Sequence, residues 1–275
     1  MKYVWRTVLW AFLLLVLLFT LFPIVITILG SFKTNAELTA GATFLPSIWQ
    51  FGNFAEAWTQ AGFSTYSFNS FFVAVAVTAG TLAVASMAAY VVNRMNFVGK
   101  KIYVGIQAFT MFVSIGAVVL RPQFELMIDL KLHNSLWGVI LILISTHASA
   151  FFILLSFMSG IPRELDEAAR IDGCSQGSIY ARIVLPLLAP GLGVAGLFAF
   201  RGAWNEYLLP FVFTLSKPEL QTLTVGLANL KFGVSAAAQT HYMMAGACLS
   251  ILPMLVVYVF ANKSFMQMTA GSLKG

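Results

Sequence analysis

The sequence predicts an all-α membrane protein with six transmembrane helices. Apolar residues make up 59% of the 275-residue chain and charged residues only 9%, with a mean hydropathy of +0.86. A soluble domain carries about 25% charged residues. Several apolar runs also approach the roughly 20 residues that a helix needs to cross a bilayer. We therefore expect a single membrane domain, residues 1–275, with spans at about 8–29, 68–92, 102–120, 136–158, 187–211 and 239–261.

The first apolar run, residues 8–29, follows Lys2 and Arg6 and must be distinguished from a signal peptide. The apolar core of a signal peptide has only about 7–15 residues and is followed by a small-x-small cleavage site. This run is longer and ends in Ile28-Leu29-Gly30, which is not such a site. We expect it to be a retained first span.

The chain carries no sequence pattern for a metal, a nucleotide or a nucleic acid. Cys174, Cys248 and the three separated histidines provide neither a disulfide framework nor metal-ligand spacing. Gly99-Lys100 is not preceded by the glycine of a Walker A loop, because position 94 is arginine. The basic residues are scattered between apolar runs, which favours a role in membrane orientation over nucleic-acid binding. No cofactor is expected in this chain, and without a Walker A loop it cannot hydrolyse ATP by that route.

The distribution of basic residues predicts the orientation of the chain in the membrane. Ten lysines and arginines fall on one side: Lys2, Arg6, Arg94, Lys100, Lys101, Arg163, Arg170, Arg182, Lys263 and Lys274. Five fall on the other side: Lys33, Arg121, Lys131, Lys217 and Lys231. Since the more basic side is normally cytoplasmic, we expect both termini and the charged loop 160–186 to face the cytoplasm.

The longest charged segment, residues 164–174, predicts a short helix between two spans. Pro162 suits the first turn of a helix, and three acidic residues follow at the positive end of the helix dipole. Asp166 and Arg170 are four residues apart with the acid first, which is the favourable order for an ion pair. Gly173 can adopt the left-handed conformation that ends a helix. We expect Leu165, Ala168, Ala169 and Asp172 to form one small, flat face that another protein can approach closely.

Glu167-Ala168-Ala169, Gly173 and the later Leu185-Pro186 resemble the EAA loop of permease subunits in binding-protein-dependent carbohydrate ABC importers of the maltose and glycerol-phosphate type. The resemblance covers nearly the whole chain and implies the type I ABC importer transmembrane-domain fold. In that family this loop carries the coupling helix, which docks on the ATPase. The resemblance implies that Glu167, Ala168, Ala169 and Gly173 transmit motion, and that Leu185-Pro186 fixes how the loop re-enters the fifth span. The alternative is an amphipathic turn that only connects two spans.

The resemblance also implies partners and a cargo. The partners are a second homologous permease subunit, two ABC ATPase subunits that bind ATP and magnesium, an extracytoplasmic solute-binding protein and the lipid of a bacterial plasma (inner) membrane. The cargo is a sugar or oligosaccharide. Three alternatives stay open: glycerol phosphate or a sugar acid as cargo of the same machine, an ion-coupled secondary transporter, and a membrane-embedded enzyme. A secondary transporter needs buried acids or discontinuous helices in repeated halves, and only Glu206 qualifies.

Arg201, Asn205 and Glu206, near the end of the predicted fifth span, are candidates for the translocation path. Charges inside a span are costly and usually face a bundle interior or a water-filled path. At about 1.5 Å per residue, Arg201 lies roughly 20 Å into the span, past the membrane midplane. Trp204-Asn205-Glu206 resembles a motif of the sugar permeases. The alternative is structural, with Arg201 bonded to neighbouring carbonyls and Glu206 reaching the headgroups.

Overall fold

Helices form all the regular structure of the chain over the residues that the structure describes. The computed structural model describes residues 2–41, 43–59, 62–112, 116–232 and 239–272. Its α-helices are α1 Lys2–Gly30, α2 Asn35–Ala40, α3 Gly52–Thr59, α4 Phe63–Arg94, α5 Lys100–Phe112, α6 Leu120–Asp129, α7 Leu136–Ser145, α8 Ala148–Ser159, α9 Glu164–Ile171, α10 Gln176–Ile179, α11 Leu185–Leu187, α12 Ala189–Asn205, α13 Leu208–Phe213, α14 Leu223–Phe232 and α15 Thr240–Ser272. Two 3₁₀ turns, Gly116–Val119 and Pro218–Leu220, and a π-helical turn, Tyr180–Val184, accompany them. The predicted all-α class is confirmed.

Three helical segments are long and apolar enough to cross a membrane: Trp5–Gly30, Phe63–Arg94 and Thr240–Val259. Two bent pairs also qualify when each is taken as one span, α7 with α8 at 48° and the segment Gln176–Leu187 with α12 at 78°. The described residues therefore hold three to five candidate spans. The predicted third span, 102–120, is helical as far as Phe112, and its residues 113–115 lie outside the described residues. The number of six spans stays a prediction.

The predicted fifth span, 187–211, is not one straight helix. The chain bends by 78° between Leu187 and Ala189, and Pro186 and Pro190 flank this point. Proline removes a backbone donor and its ring clashes with the preceding turn, so a helix bends or breaks there. The helix α12 then ends at Asn205, and the short helix α13 begins at Leu208.

The helices form two compact units, which are described separately. In the first unit, Met1–Ser67 with Val225–Leu252, a buried asparagine fixes the chain after α1. The Asn53 amide, within α3, donates to the carbonyls of Ser31 and Lys33 at 2.8 Å each. The ammonium group of the buried Lys33 in turn donates to the carbonyl and hydroxyl of Thr43. Polar contacts therefore organise this connection.

The second unit, Phe68–Thr224 with Pro253–Gly275, holds the charged loop and the core that supports it. The helix α8 contributes Phe151, Leu154 and Met158 to this core, and Leu188, just before α12, is also fully buried. From α4 come small buried residues, which allow helices to approach closely: Ala85 and Ala89. The loop 160–186 is thus carried by three helices with a common apolar core.

Candidate functional site

The charged loop forms the predicted short helix, α9, over Glu164–Ile171. Its three acidic first-turn residues lie where they favour the helix dipole, while Pro162 precedes the helix by two residues rather than starting it. Gly173 has φ +80°, a conformation that glycine adopts without the steric cost of a Cβ. The Gly173 N–H donates to the Arg170 carbonyl at 3.0 Å and the Cys174 N–H to the Ala169 carbonyl at 2.9 Å. The local prediction of helix and stop is confirmed.

The expected pairing of Asp166 with Arg170 is wrong. Asp166 is buried, and its Oδ2 lies 2.8 Å from Nε of Arg94, the last residue of α4, with both side chains 3% exposed. Another guanidinium nitrogen of Arg94, Nη2, donates to the Ile161 carbonyl at 3.0 Å. The i, i+4 rule considers only one helix, whereas in the folded chain Asp166 lies on the side of α9 that faces Arg94 of α4.

Arg170 has a different partner in Gln176. A guanidinium has only donors, so the Gln176 amide oxygen must face Arg170, and it then lies 3.1 Å from both Nε and Nη2. In this orientation the amide nitrogen donates to the Tyr90 hydroxyl at 2.9 Å. Tyr90 belongs to α4, so Arg170 also connects α9 to that helix, through one intervening amide.

The exposed face of α9 differs in part from the expected one. Leu165, Ala168 and Asp172 are exposed as expected, but Ala169 is 5% exposed and lies in the core of the second unit. Ile171, which sequence reasoning did not single out, is 87% exposed. An exposed isoleucine in the same turn as Ala168 makes this face more apolar than the motif alone indicates. Ala169 anchors the helix to its own chain.

The remaining residues of the loop prediction lie at the 78° bend. Leu185 and Pro186 belong to the one-turn helix α11, directly before Leu188, where the chain turns into α12. The Leu188 N–H still donates to the Val184 carbonyl at 2.9 Å, so the backbone is hydrogen-bonded up to the bend. These two residues therefore lie at the bend, where the chain turns into α12.

The Trp204-Asn205-Glu206 segment ends α12 with three separate roles. Trp204 is buried and stacks on Phe200, with ring centroids 5.8 Å apart and planes at 13°. The Asn205 side chain is exposed and donates to the Arg201 carbonyl at 2.9 Å. One carboxylate oxygen of Glu206 accepts from the N–H groups of Leu208 and Leu209 at 3.0 and 3.1 Å, which caps α13.

A cavity of about 520 Å³ lies in the second unit, and Glu206 is at its wall. Its other polar lining side chains are hydroxyls: Thr81, Thr146 and Ser149. A neighbouring cavity of about 710 Å³ shares Glu206, Thr146 and Ser149. Of the three predicted path residues, the structure brings only Glu206 to these walls. Arg201 and Asn205 are exposed elsewhere on α12, and Arg201 forms no ion pair with any described residue.

Sequence reasoning missed Arg94 as a partner of the charged loop. Two features of the sequence could have indicated this contact. One is an arginine at the end of a long apolar span, and the other is the carboxylate of Asp166 beside the small side chains of the predicted helix. Both are weak, because basic residues commonly follow spans on the cytoplasmic side. Only the folded contact between α4 and α9 distinguishes this arginine from the others.

Proteins of known role resemble the chain over nearly its whole length. It is 35% identical over 259 residues to the sulfoquinovosyl glycerol transport system permease protein SmoH of Agrobacterium fabrum, covering 93% of this chain and 89% of that protein. It is 32% identical over 278 residues to the arabinooligosaccharides transport system permease protein AraQ of Bacillus subtilis, covering 99% and 97%. No protein-family model matches the sequence.

Solved structures share the fold. A chain of a bacterial ABC transporter that imports the acidic polysaccharide alginate superposes with a TM-score of 0.81 at 24% identity, covering 95% of this chain and 96% of that one. A chain from the alginate ABC transporter in complex with an alginate pentasaccharide-bound periplasmic protein gives a TM-score of 0.69 at 15% identity, covering 98% and 96%. At these identities the likeness concerns the fold.

Proposed function

Because the chain belongs to the family of carbohydrate ABC transporter permeases, we propose that it is the membrane subunit of an importer that moves a sugar or oligosaccharide across a bacterial plasma membrane. The names of its relatives support this cargo, since SmoH and AraQ belong to transport systems for sulfoquinovosyl glycerol and for arabinooligosaccharides. A solute-binding protein delivers the cargo, in keeping with the complex of the alginate transporter that shares this fold.

Two ATPase subunits drive the transport, and this chain docks on one of them through α9. The observation that carries this proposal is a helix held by a buried ion pair that also has an exposed face of Leu165, Ala168 and Ile171. Closure of the ATPases on ATP displaces α9 and switches the spans between inward-open and outward-open states as a rigid-body movement. A second, homologous permease completes the membrane part.

The positions of two loops along α4 support the proposed orientation. Asn69, in the early part of α4, contacts the segment 219–221, whereas Arg94 at its end contacts α9. The two residues are separated by about 37 Å of helix at 1.5 Å per residue, which exceeds the roughly 30 Å hydrocarbon core. The two loops therefore belong on opposite sides of the membrane. With the excess of basic residues on the side of α9, that side is the cytoplasm.

The cavity beside Glu206 is our candidate for this chain's share of the path. Its hydroxyls at Thr81, Thr146 and Ser149 can exchange hydrogen bonds with a saccharide, since a hydroxyl both donates and accepts. Its remaining walls are mainly aliphatic or aromatic, as in most small-molecule sites. Arg201 and Asn205 lie outside these walls, and we assign them to the part of the path that the partner permease completes.

The test is uptake by the complete transporter in proteoliposomes, with its binding protein outside and ATP inside. We expect uptake of the bound saccharide to require ATP, to stop with vanadate and to persist with a protonophore. Uptake that a protonophore abolishes and vanadate leaves intact would instead indicate ion-coupled secondary transport. The purified chain alone should hydrolyse no ATP, and hydrolysis without the ATPase subunits would overturn the proposed division of labour.

Docking through α9 has its own test in the binding of the ATPase subunit. Replacement of the exposed Ile171 with aspartate should reduce the amount of ATPase that co-purifies with the chain, because a desolvated charge is costly at an interface. Val98 is also fully exposed, in the connection between α4 and α5, and Val98→Asp is the matched control. Equal co-purification of the ATPase with both variants would exclude a docking role for this face.

A further inference from the structure

The helix α9 is joined to α4 by a buried ion pair. Only two of its residues, Asp166 and Ala169, are buried. The Arg94 guanidinium is paired with Asp166 and also donates to the carbonyl of Ile161, in the connection that leads into α9. From the opposite direction, the Arg163 guanidinium donates to the Asn93 carbonyl at 2.9 Å. The last turn of α4 therefore fixes both the entry to α9 and its first turn.

The contact continues along one face of α4. Ser86, Tyr90 and Arg94 follow at four-residue spacing and so lie on the same side of the helix. The Ser86 hydroxyl lies 2.7 Å from the Tyr180 hydroxyl, and Tyr90 is hydrogen-bonded to Gln176. The rings of Tyr90 and Tyr180 are also 5.3 Å apart, in a tilted arrangement. The loop from α9 to the π-helical turn is thus joined to α4 over more than two helical turns.

Near its other end, α4 makes a second set of polar contacts, with the segment 219–224. The amide of Asn69 donates to the carbonyls of Glu219 and Gln221 at 2.9 Å each, and the Ser70 hydroxyl accepts from the Leu223 N–H at 2.8 Å. Both side chains are buried. Thr224 is the last residue of this segment. Its hydroxyl donates to the Glu206 carbonyl at 2.7 Å and so connects the segment to the cavity wall.

We infer that α4 transmits the movement of α9 to the segment 219–224 on the opposite side of the membrane. Arg94, at the end of α4 that contacts α9, is the positioning residue. The inference rests on the proposed function, in which α9 receives the motion of the ATPase. A buried guanidinium–carboxylate pair is strongly unfavourable to break, and the same guanidinium also donates to the Ile161 carbonyl. Displacement of α9 is therefore transmitted to α4. Because 219–224 lies on the side from which the binding protein docks, this surface responds to the nucleotide state of the ATPases.

The experiment places a reporter in the segment 219–224 and removes the contact between Arg94 and Asp166. The Glu219 side chain is exposed, and only its backbone carbonyl accepts from Asn69. Glu219→Cys therefore reports on this segment without removing that hydrogen bond. The reporter is introduced with Cys174→Ser and Cys248→Ser into the complete transporter in nanodiscs. The measurement is the rate of Cys labelling by a hydrophilic maleimide, without nucleotide and after trapping with ATP and vanadate. Lys101→Gln, which removes an exposed positive charge on the same side as Arg94, is the control.

Trapping should change the labelling rate by about threefold or more in the parent and in Lys101→Gln, which is the size of a modest coupling effect between distant sites. In Arg94→Gln the change should disappear although the ATPases still trap nucleotide. The double variant Arg94→Gln/Asp166→Asn leaves no lone buried charge, so it keeps the test valid if Arg94→Gln fails to assemble, and it should also lose the change. A full change in either variant would overturn the inference. If trapping leaves the labelling rate of the parent unchanged although the parent still imports cargo, the proposed role of α4 is refuted and the proposed function stands.

Discussion

The ring of Phe157 lies directly against Gly191, where an added Cβ would stand 2.7 Å from the ring carbon Cγ. Phe157 belongs to α8, which leads into the charged loop, and Gly191 belongs to α12, which leaves it. Small residues permit this close approach between membrane helices. The contact fixes the separation of α8 and α12 on either side of the loop.

We predict that Gly191→Ala lowers the stability of the protein. The new methyl group must displace the Phe157 ring or separate the helices, and overpacking of this kind costs about 1–3 kcal/mol. The melting temperature of the purified chain in detergent should fall. The control is Gly105→Ala in α5, where a Cβ meets no atom within 4 Å. Equal melting temperatures for both variants would show that the α8–α12 contact can relax without cost.

Gly173→Val should uncouple ATP hydrolysis from uptake while membrane insertion stays intact. The space around Gly173 is open, so the effect comes from its φ of +80°, a left-handed conformation that costs a residue with a side chain about 1–2 kcal/mol. The end of α9 must then change direction, and the exposed face moves with it. The measurement is the ratio of cargo transported to ATP hydrolysed.

The matched control for this prediction is Gly177→Val in α10. Gly177 also has open space around the position of its Cβ, but its φ is not positive. It should therefore keep the parent ratio of transport to hydrolysis. A parent-like ratio in Gly173→Val would count against a role of the α9 stop in coupling.

Variants of Glu206 separate its role as a helix cap from a role in the path. Glu206→Gln retains an oxygen that accepts from the N–H groups of Leu208 and Leu209, whereas Glu206→Ala loses it, at a cost of about 0.5–2 kcal/mol. We expect a lower melting temperature for the alanine variant only. Equal stability of the two variants would contradict the capping role. Slower uptake by Glu206→Gln at parent stability is the result expected if the carboxylate charge acts in the path.

Arg201→Leu should slow uptake without affecting membrane insertion. The guanidinium is exposed and forms no ion pair in the described part of the chain, so its loss leaves no buried partner. We expect a fall of about tenfold in the initial rate, which corresponds to about 1.4 kcal/mol. Arg121→Leu is the control, because its ion pair with Glu125 is highly exposed and such pairs contribute little. Parent-like uptake by Arg201→Leu would favour a structural role.

The parts of the site that follow from local rules were predictable from the sequence. Helix α9 and its end at Gly173 depend on residues within one short segment, and the structure contains both. The pair of Arg94 and Asp166 depends on two segments far apart in the chain, so no local spacing indicates it. The same holds for Ala169, which the motif groups with exposed residues although the core of the second unit covers it. The bend after Leu187 is signalled by Pro186 and Pro190, but no local pattern indicates its angle of 78°.

The proposed coupling depends most on which side of the membrane α9 faces, and the native Cys174 reports this directly. Cys174 follows α9 and is exposed. In a Cys248→Ser variant, it is labelled with a membrane-impermeant maleimide in intact and in permeabilised cells. We predict labelling only after permeabilisation, because the loop faces the cytoplasm where an ATPase can bind it. Labelling of Cys174 in intact cells would place α9 outside and contradict the proposed coupling.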